Sequence, residues 1–189
     1  MPVAPITLQE TAELIAKLER RPNARGVLRQ LKALYAAEQI KPVPGLTGKR
    51  GALMYDLAEL SKARICIAAT DARMDSTALV EAFEKREFKH AVAGLTKGEN
   101  WFLEIRMMRD GDALSPQFRW CRWTDSGVNR GILEQDAMDP ETFFNVMPGR
   151  EDSDDYVDGL ESEIRIKFFN LMRPIFKAMA AKAESQGKD

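Results

Sequence analysis

The first seventy residues constrain the fold most, because they carry three helical patterns and one glycine-rich basic segment. Thr7 can act as an N-cap, and Glu10 three residues later completes the pattern of a capping box, so a first helix should follow Thr7. Pro22 and Asn23 favour a helix start. They predict a second helix, roughly from Ala24 to Ala37, joined to the first by a short polar turn.

The second helical pattern has one apolar face and one basic face. Arg25, Arg29 and Lys32 are spaced four and three residues apart, so they should form one ridge. In proteins that place the second of two closely spaced helices in the major groove, such a ridge reaches the DNA. A solvated face of an ordinary amphipathic helix explains the same spacing. The apolar face consists of Val27, Leu28, Leu31, Leu34 and Tyr35.

The segment that follows the second helix favours DNA binding. Gly45, Gly48 and Gly51 fall within seven residues, and Lys49 and Arg50 lie between the last two. This composition predicts a hairpin loop flanked by short strands. Glycine allows the backbone to approach a phosphate closely, and the two cations would displace counterions from it.

Two further helices complete the pattern. Asp56 can cap a third helix, and Asp75 or Ser76 can start a fourth. Two helices, a basic hairpin and a third helix form the layout of a winged helix-turn-helix, so we expect the N-terminal part to bind double-stranded DNA. The residues expected to contact DNA are Arg21, Asn23, Arg25, Arg29, Lys32, Lys49, Arg50 and Tyr55.

A resemblance to a known family covers roughly residues 6–87. The run from Tyr55 to Leu60, followed by Arg64 and Ile65, resembles the segment after the wing in MerR-type regulators. Residues 40–42, Ile-Lys-Pro, are similar to the step that precedes the wing in that family. The resemblance implies the winged fold and DNA binding. The second helix departs from the family, because it carries Leu-Lys-Ala-Leu-Tyr where an Arg-Tyr-Tyr-Glu run is typical, and excisionase-like proteins are similar over the same elements.

The distribution of charge agrees with a DNA-binding head. The chain as a whole carries a net charge of only −1. Residues 1–64 contain eleven Lys/Arg and six Asp/Glu, a net of +5, whereas residues 90–189 contain thirteen and eighteen, a net of −5. A basic head on an acidic body would be oriented by the field of a phosphate backbone.

The length of 189 residues suggests two small domains. A boundary near residues 86–98 would divide the chain into a DNA-binding domain, 1–88, and a dimerisation or sensing domain, 89–189. Cys66 and Cys121 form no CxxC pair, which favours a reduced, cytoplasmic setting. We expect no membrane span and no signal peptide, because the chain has no long apolar run and its start lacks a charged-then-apolar layout.

The second half is typical of an α+β domain. Trp101, Leu103, Ile105 and Met107 alternate with other residues and predict a strand with one apolar face. A second strand should run from Gln117 to Thr124, after a connection longer than a tight hairpin. The aromatic residues of this second strand, Phe118, Trp120 and Trp123, could line a ligand pocket or stack on single-stranded bases, but an ordinary core is the favoured interpretation.

A long final helix is predicted from about Val157 to Ala183, with a kink near Pro174. Its two apolar stripes, which include Phe168 and Ile175, are too wide to cover one small sheet, so we expect a homodimer through this helix. Before it, the sequence predicts a short helix over residues 139–146 and an acidic connector over residues 151–155.

Catalytic and cofactor motifs are lacking. The single histidine, His90, falls in the expected linker and has no matched carboxylate pair or nearby cysteine. We therefore expect neither an enzyme nor a metal or cofactor site, and a small-molecule ligand has no sequence support. Three functions remain: a sequence-specific transcription regulator, which we favour, an excisionase-like or architectural DNA-binding factor, and a phage-type assembly component that uses the helix-turn-helix for packing.

Overall fold

The computed structural model describes residues 3–110, 112–124, 127–130 and 160–186. Helices and strands are both present, which confirms the mixed α+β class. The chain folds into two compact units, Met1–Val80 with Asn170–Asp189, and Glu81–Phe169. The first unit is therefore discontinuous in sequence, and the boundary expected at residues 86–98 falls inside the second unit.

The first unit begins with helices around one two-stranded sheet. Its elements are β1 (Ile6–Thr7), α1 (Leu8–Leu18), α2 (Arg25–Ala36), a 3-10 helix (Lys49–Gly51), β2 (Met54–Tyr55), α3 (Leu57–Asp71) and a second 3-10 helix (Ser76–Leu79). β1 pairs antiparallel with β2, with Ile6 opposite Tyr55 and Thr7 opposite Met54. Because these strands precede α1 and α3 directly, their pairing brings the starts of the two helices together.

The starts of α1 and α3 are capped as the sequence predicts. The Thr7 hydroxyl accepts a hydrogen bond from the Glu10 N–H at 3.1 Å, and the Glu10 carboxylate accepts one from the Thr7 N–H at 2.7 Å. Asp56 accepts a hydrogen bond from the N–H of Glu59 at 2.9 Å. The capping box and the third helix start are thereby confirmed.

The ends of α1, α2 and α3 share an unusual backbone feature. Each is followed by a non-glycine residue in the left-handed region: Arg20 (φ 53°), Glu38 (φ 56°) and Arg73 (φ 61°). In each case two successive N–H groups bond back into the last helical turn, which is the Schellman arrangement. A Cβ is disfavoured in this conformation, so each helix end carries strain that glycine would relieve.

The second unit is a four-stranded antiparallel sheet with short helices. Its elements are α4 (Val80–Glu84), whose first residue still belongs to the first unit, α5 (Arg86–Gly94), a 3-10 helix (Leu95–Lys97), β3 (Asn100–Asp110), β4 (Ala113–Thr124), β5 (Gly127–Arg130) and β6 (Leu160–Ile166). The sheet order is β5-β4-β3-β6. The prediction of a long connection between β3 and β4 is wrong. β4 begins at Ala113, opposite Asp110, so the hairpin is tight and Pro116 lies within the strand.

The prediction that the aromatic side chains of β4 belong to the core is confirmed in part. Trp120 is 1% exposed, its indole N–H donates to the Ala82 carbonyl at 2.8 Å, and its ring lies 5.3 Å from that of Phe168. Trp123, by contrast, is 51% exposed. β3 is buried on both faces rather than on one, because Glu104 and its neighbours are also covered.

The final helix, α6 (Phe168–Gln186), is shorter than the sequence suggests. Residues 160–166 form β6 instead, because Leu160 and Ile164 fit a period of two as well as a period of four and the edge of β3 is available for pairing. The helix continues through Pro174. Phe168 and Ile175, which we expected at a dimer contact, are fully buried within the single chain.

From Asn170 onward, α6 belongs to the first unit. The Ala4 N–H donates to the carbonyl of Met179 at 3.1 Å, and the Lys182 ammonium group lies 2.7 Å from the carboxylate of Glu10. The short helix predicted at residues 139–146 and the acidic connector at 151–155 lie outside the described residues.

Candidate nucleic-acid interface

The three cations of α2 form one exposed ridge, which we call the basic ridge (Arg25, Arg29 and Lys32). At about 100° of rotation per residue, these side chains point within roughly 60° of one another and away from the buried Val27, Leu31 and Leu34. All three are exposed. Within the described part of the chain, no hydrogen bond or ion pair holds their side chains.

The start of α2 presents a second feature to solvent. Its N-cap, Ala24, provides no side-chain cap, and no acidic residue lies in the first turn. Asn23 accepts a hydrogen bond from the Arg25 N–H at 3.0 Å. A Cβ added at Gly26 would meet nothing within 4 Å, so the space beside this turn is open. Since a cation at a helix N-terminus opposes the helix dipole, Arg25 stands where an anion would be favoured.

The glycine-rich segment forms a compact turn, which we call the basic loop (residues 44–53). Its two sides are joined by one isolated bridge between Thr47 and Leu53 and by the hydrogen bond from the Gly48 N–H to the Ala52 carbonyl at 2.8 Å. β2 pairs with β1 instead of across the loop, so the predicted pair of flanking strands is replaced by this single bridge. Lys49 and Arg50 lie exposed at the tip in the 3-10 helix.

Glycine is favoured at positions 48 and 51 of this turn for different reasons. A Cβ at Gly48 would lie 2.8 Å from the sulfur of Met54, whereas Gly51 has a φ of +72° that side chains disfavour. Arg50 also adopts a positive φ, 58°. The tip of the basic loop is thus a strained backbone that holds two cations outward.

Arg21 has a different environment from the other predicted DNA contacts. It belongs to the turn cluster (Glu19, Arg21, Arg64 and Asp71), in which Arg21 donates to both carboxylates and Arg64 donates to Glu19. Burial lowers the pKa of Arg21, but the hydrogen bonds to Glu19 and Asp71 outweigh it, so the pKa is raised. Arg21 is therefore held by two carboxylates of the protein.

The two ends of the turn cluster differ in exposure. The side chain of Arg64 is 10% exposed and that of Asp71 is 40% exposed. Desolvation lowers the pKa of Arg64 more than Glu19 raises it. An exposed ion pair stabilises a protein by about 0–1 kcal/mol, whereas removing one partner of a buried pair costs about 3–5 kcal/mol. Loss of one partner should therefore cost more stability at the Glu19–Arg64 end than at the Asp71 end.

Tyr55 lies in the core of the first unit rather than on its basic surface. It is 1% exposed, and its ring lies edge-on to that of Tyr35 at 6.3 Å. Burial, and then the neighbouring Tyr35, raise the pKa of the Tyr55 phenol. Its hydroxyl is buried and has no hydrogen-bond partner in the described structure.

Sequence reasoning missed the carboxylates that hold Arg21 and Arg64. The Arg21–Asp71 and Arg64–Glu19 pairs join residues 50 and 45 positions apart, and no local spacing signals them. The signal that was available is compositional: Arg64 falls among the apolar positions of α3, where an arginine requires a partner.

The two units differ more in net charge than residues 1–64 and 90–189 do. The first unit contains sixteen Lys/Arg and ten Asp/Glu, a net of +6, and the second contains twelve and nineteen, a net of −7.

Within the first unit, a cleft of about 680 Å³ lies between the basic loop and the end of α6, lined by Thr7, Thr47, Lys49, Lys182 and Ser185 among others.

The described residues contain no cluster of three or more His, Cys, Asp or Glu side chains suited to a metal ion. His90 lies on α5 rather than in a linker.

Cys66 is buried, and burial raises the pKa of its thiol to about 12. Among the helices described, none is long and apolar enough to cross a bilayer.

Comparison of the chain with protein-family models, curated proteins and solved structures gives no match.

Proposed function

We propose that the chain is a sequence-specific DNA-binding transcription regulator whose first unit works as a winged helix-turn-helix. The observation that carries the proposal is the basic ridge: three exposed cations opposite the buried face of α2. A row of exposed cations on one helix face matches the electrostatic footprint of a nucleic-acid-binding surface, and arginine can read guanine through two hydrogen bonds.

The basic loop supplies the second contact in this proposal. Lys49 and Arg50 would bind the phosphate backbone or the minor groove, because the strained turn holds them outward. The net charge of +6 on the first unit would draw it towards the duplex, while the net charge of −7 on the second unit would repel the rest of the molecule from it. The first unit would then approach DNA first.

A dimer that covers two half-sites stays a prediction without an assigned contact, because the α6 side chains expected to form it are buried. The arrangement of selected sites tests it. A short palindrome favours a dimeric regulator, whereas phased direct repeats would identify an architectural or excisionase-like factor that binds in series.

The test is selection from a randomised duplex library by the full chain, followed by binding measurements on the selected duplex and on a scrambled one. Arg29→Ala should weaken binding to the selected duplex by about 1–3 kcal/mol and affect the scrambled duplex much less. Replacing Lys49 and Arg50 together with alanine should reduce the salt slope by about one to two units. Lys177→Ala, which removes an exposed cation of α6, is the matched control.

Two results would overturn the proposal or its geometry. If the wild-type chain selects no sequence, it is not a sequence-specific regulator. If Arg29→Ala weakens both duplexes equally, Arg29 contacts phosphate and α2 does not read bases.

A further inference from the structure

The turn cluster connects all three helices that begin the first unit. Glu19 follows the last residue of α1, Arg21 lies in the turn before α2, and Asp71 is the last residue of α3. Because Arg21 donates to both carboxylates, it ties the α1–α2 turn to the end of α3.

Asp71 also holds a second point on α2. One of its oxygens accepts the hydrogen bond from Arg21, and the other accepts one from the amide of Gln30 at 3.4 Å. One attachment lies before the first residue of α2, and the other lies inside its second turn. Two attachments to a single carboxylate restrain the direction of the helix axis more than either attachment alone would.

We propose that Asp71, acting through Arg21 and Gln30, is a positioning residue that sets the angle at which α2 presents the basic ridge to DNA. This inference rests on the proposed function. Hydrogen bonds to base edges need a defined geometry, whereas contacts with phosphates are attractions between charges that tolerate small rotations. Asp71 therefore controls discrimination between sequences rather than total affinity for DNA.

Because Asp71 lies at the exposed end of the turn cluster, its positioning role can be tested without unfolding the protein. Asp71 is the most exposed member, so its loss leaves the inner Glu19–Arg64 pair in place. Asp71→Ala removes both attachments at the end of a helix, where alanine is well tolerated. Glu38→Ala is the matched control, because it removes one exposed carboxylate from the same unit without a described partner.

The experiment compares binding of the full-length variants to the duplex selected by the wild-type chain and to a scrambled duplex. Asp71→Ala should lower the ratio of the two affinities about tenfold, while its salt slope should follow that of Glu38→Ala. Asp71→Glu, which keeps both oxygens and the charge, should restore most of the ratio. Melting temperatures of the variants should stay close to that of the wild type.

A wild-type ratio in Asp71→Ala would overturn the positioning role. Residual dipolar couplings of the α2 and α3 amide groups supply a readout that does not depend on DNA. If they are the same in Asp71→Ala and wild type, the angle of α2 is set elsewhere and the inference is wrong. If the wild-type chain selects no sequence but these couplings change, the proposed function fails while the orienting role of Asp71 stands.

Discussion

The basic ridge and the turn cluster both depend on arginines of the same unit, yet they use them in opposite ways. Arg25 and Arg29 are exposed and have no described protein partner, whereas Arg21, only four residues before Arg25, is held by two carboxylates. The difference shows that the role of a cation is decided by which acidic groups the fold brings to it. Proximity in sequence to an exposed basic helix face does not decide it.

The strongest test of this comparison replaces Glu19, whose carboxylate accepts hydrogen bonds from both Arg21 and Arg64. Glu19→Gln would leave the guanidinium of Arg64 buried beside a neutral amide, because the Glu19 side chain supplies its ion pair. We expect the free energy of unfolding to fall by about 3 kcal/mol, measured by equilibrium denaturation in urea.

Glu13→Gln, which changes an exposed carboxylate of α1, is the control and should alter stability by less than about 0.5 kcal/mol. A loss below about 1 kcal/mol for Glu19→Gln would mean that Arg64 behaves like an exposed residue. The contrast between the cluster and the ridge would then disappear.

A second test concerns the basic ridge and uses Gly26, in the first turn of α2. The space there is open, so Gly26→Ala should stabilise the free protein by about 0.5–1 kcal/mol through its higher helix propensity. If α2 binds DNA as proposed, the added Cβ should nevertheless weaken that binding, because it would obstruct the approach of a phosphate to the backbone.

Thermal denaturation and duplex binding should thus change in opposite directions for this one variant. If Gly26→Ala raises stability and leaves binding to DNA unchanged, the first turn of α2 does not face the phosphate backbone.

The smallest effect concerns Arg73, an arginine that belongs to neither the ridge nor the cluster. It follows α3 with a φ of 61°, so Arg73→Gly should relieve strain and stabilise the protein by about 0.5 kcal/mol, after the entropy cost of glycine is subtracted. Ala72→Gly, at a neighbouring position with a φ of −81°, should instead destabilise it. Equal changes for both variants would show that the left-handed conformation of Arg73 carries no strain.

The features that the sequence predicts correctly are those that depend on residues close together in the chain. The capping box of Thr7 and Glu10, the cap at Asp56 and the ridge of α2 depend on spacings of three or four residues, and the structure contains each of them. The sequence predicts a helix over residues 160–166 because the spacing of their apolar residues fits both periods, and only pairing with β3 decides between them. The partners of Arg21 and the return of α6 to the first unit depend on contacts between distant segments, which no local pattern encodes.

The discontinuous first unit also determines the order in which its parts become available during synthesis. Residues 1–80 leave the ribosome first, but the segment from Asn170, with which Ala4 and Glu10 bond, follows only after the whole second unit. At about 5–20 residues per second, this interval lasts roughly 5–20 s. Throughout it, the Ala4 N–H and the Glu10 carboxylate lack the partners that α6 supplies, so the first unit can complete its contacts only after the second unit has been synthesised.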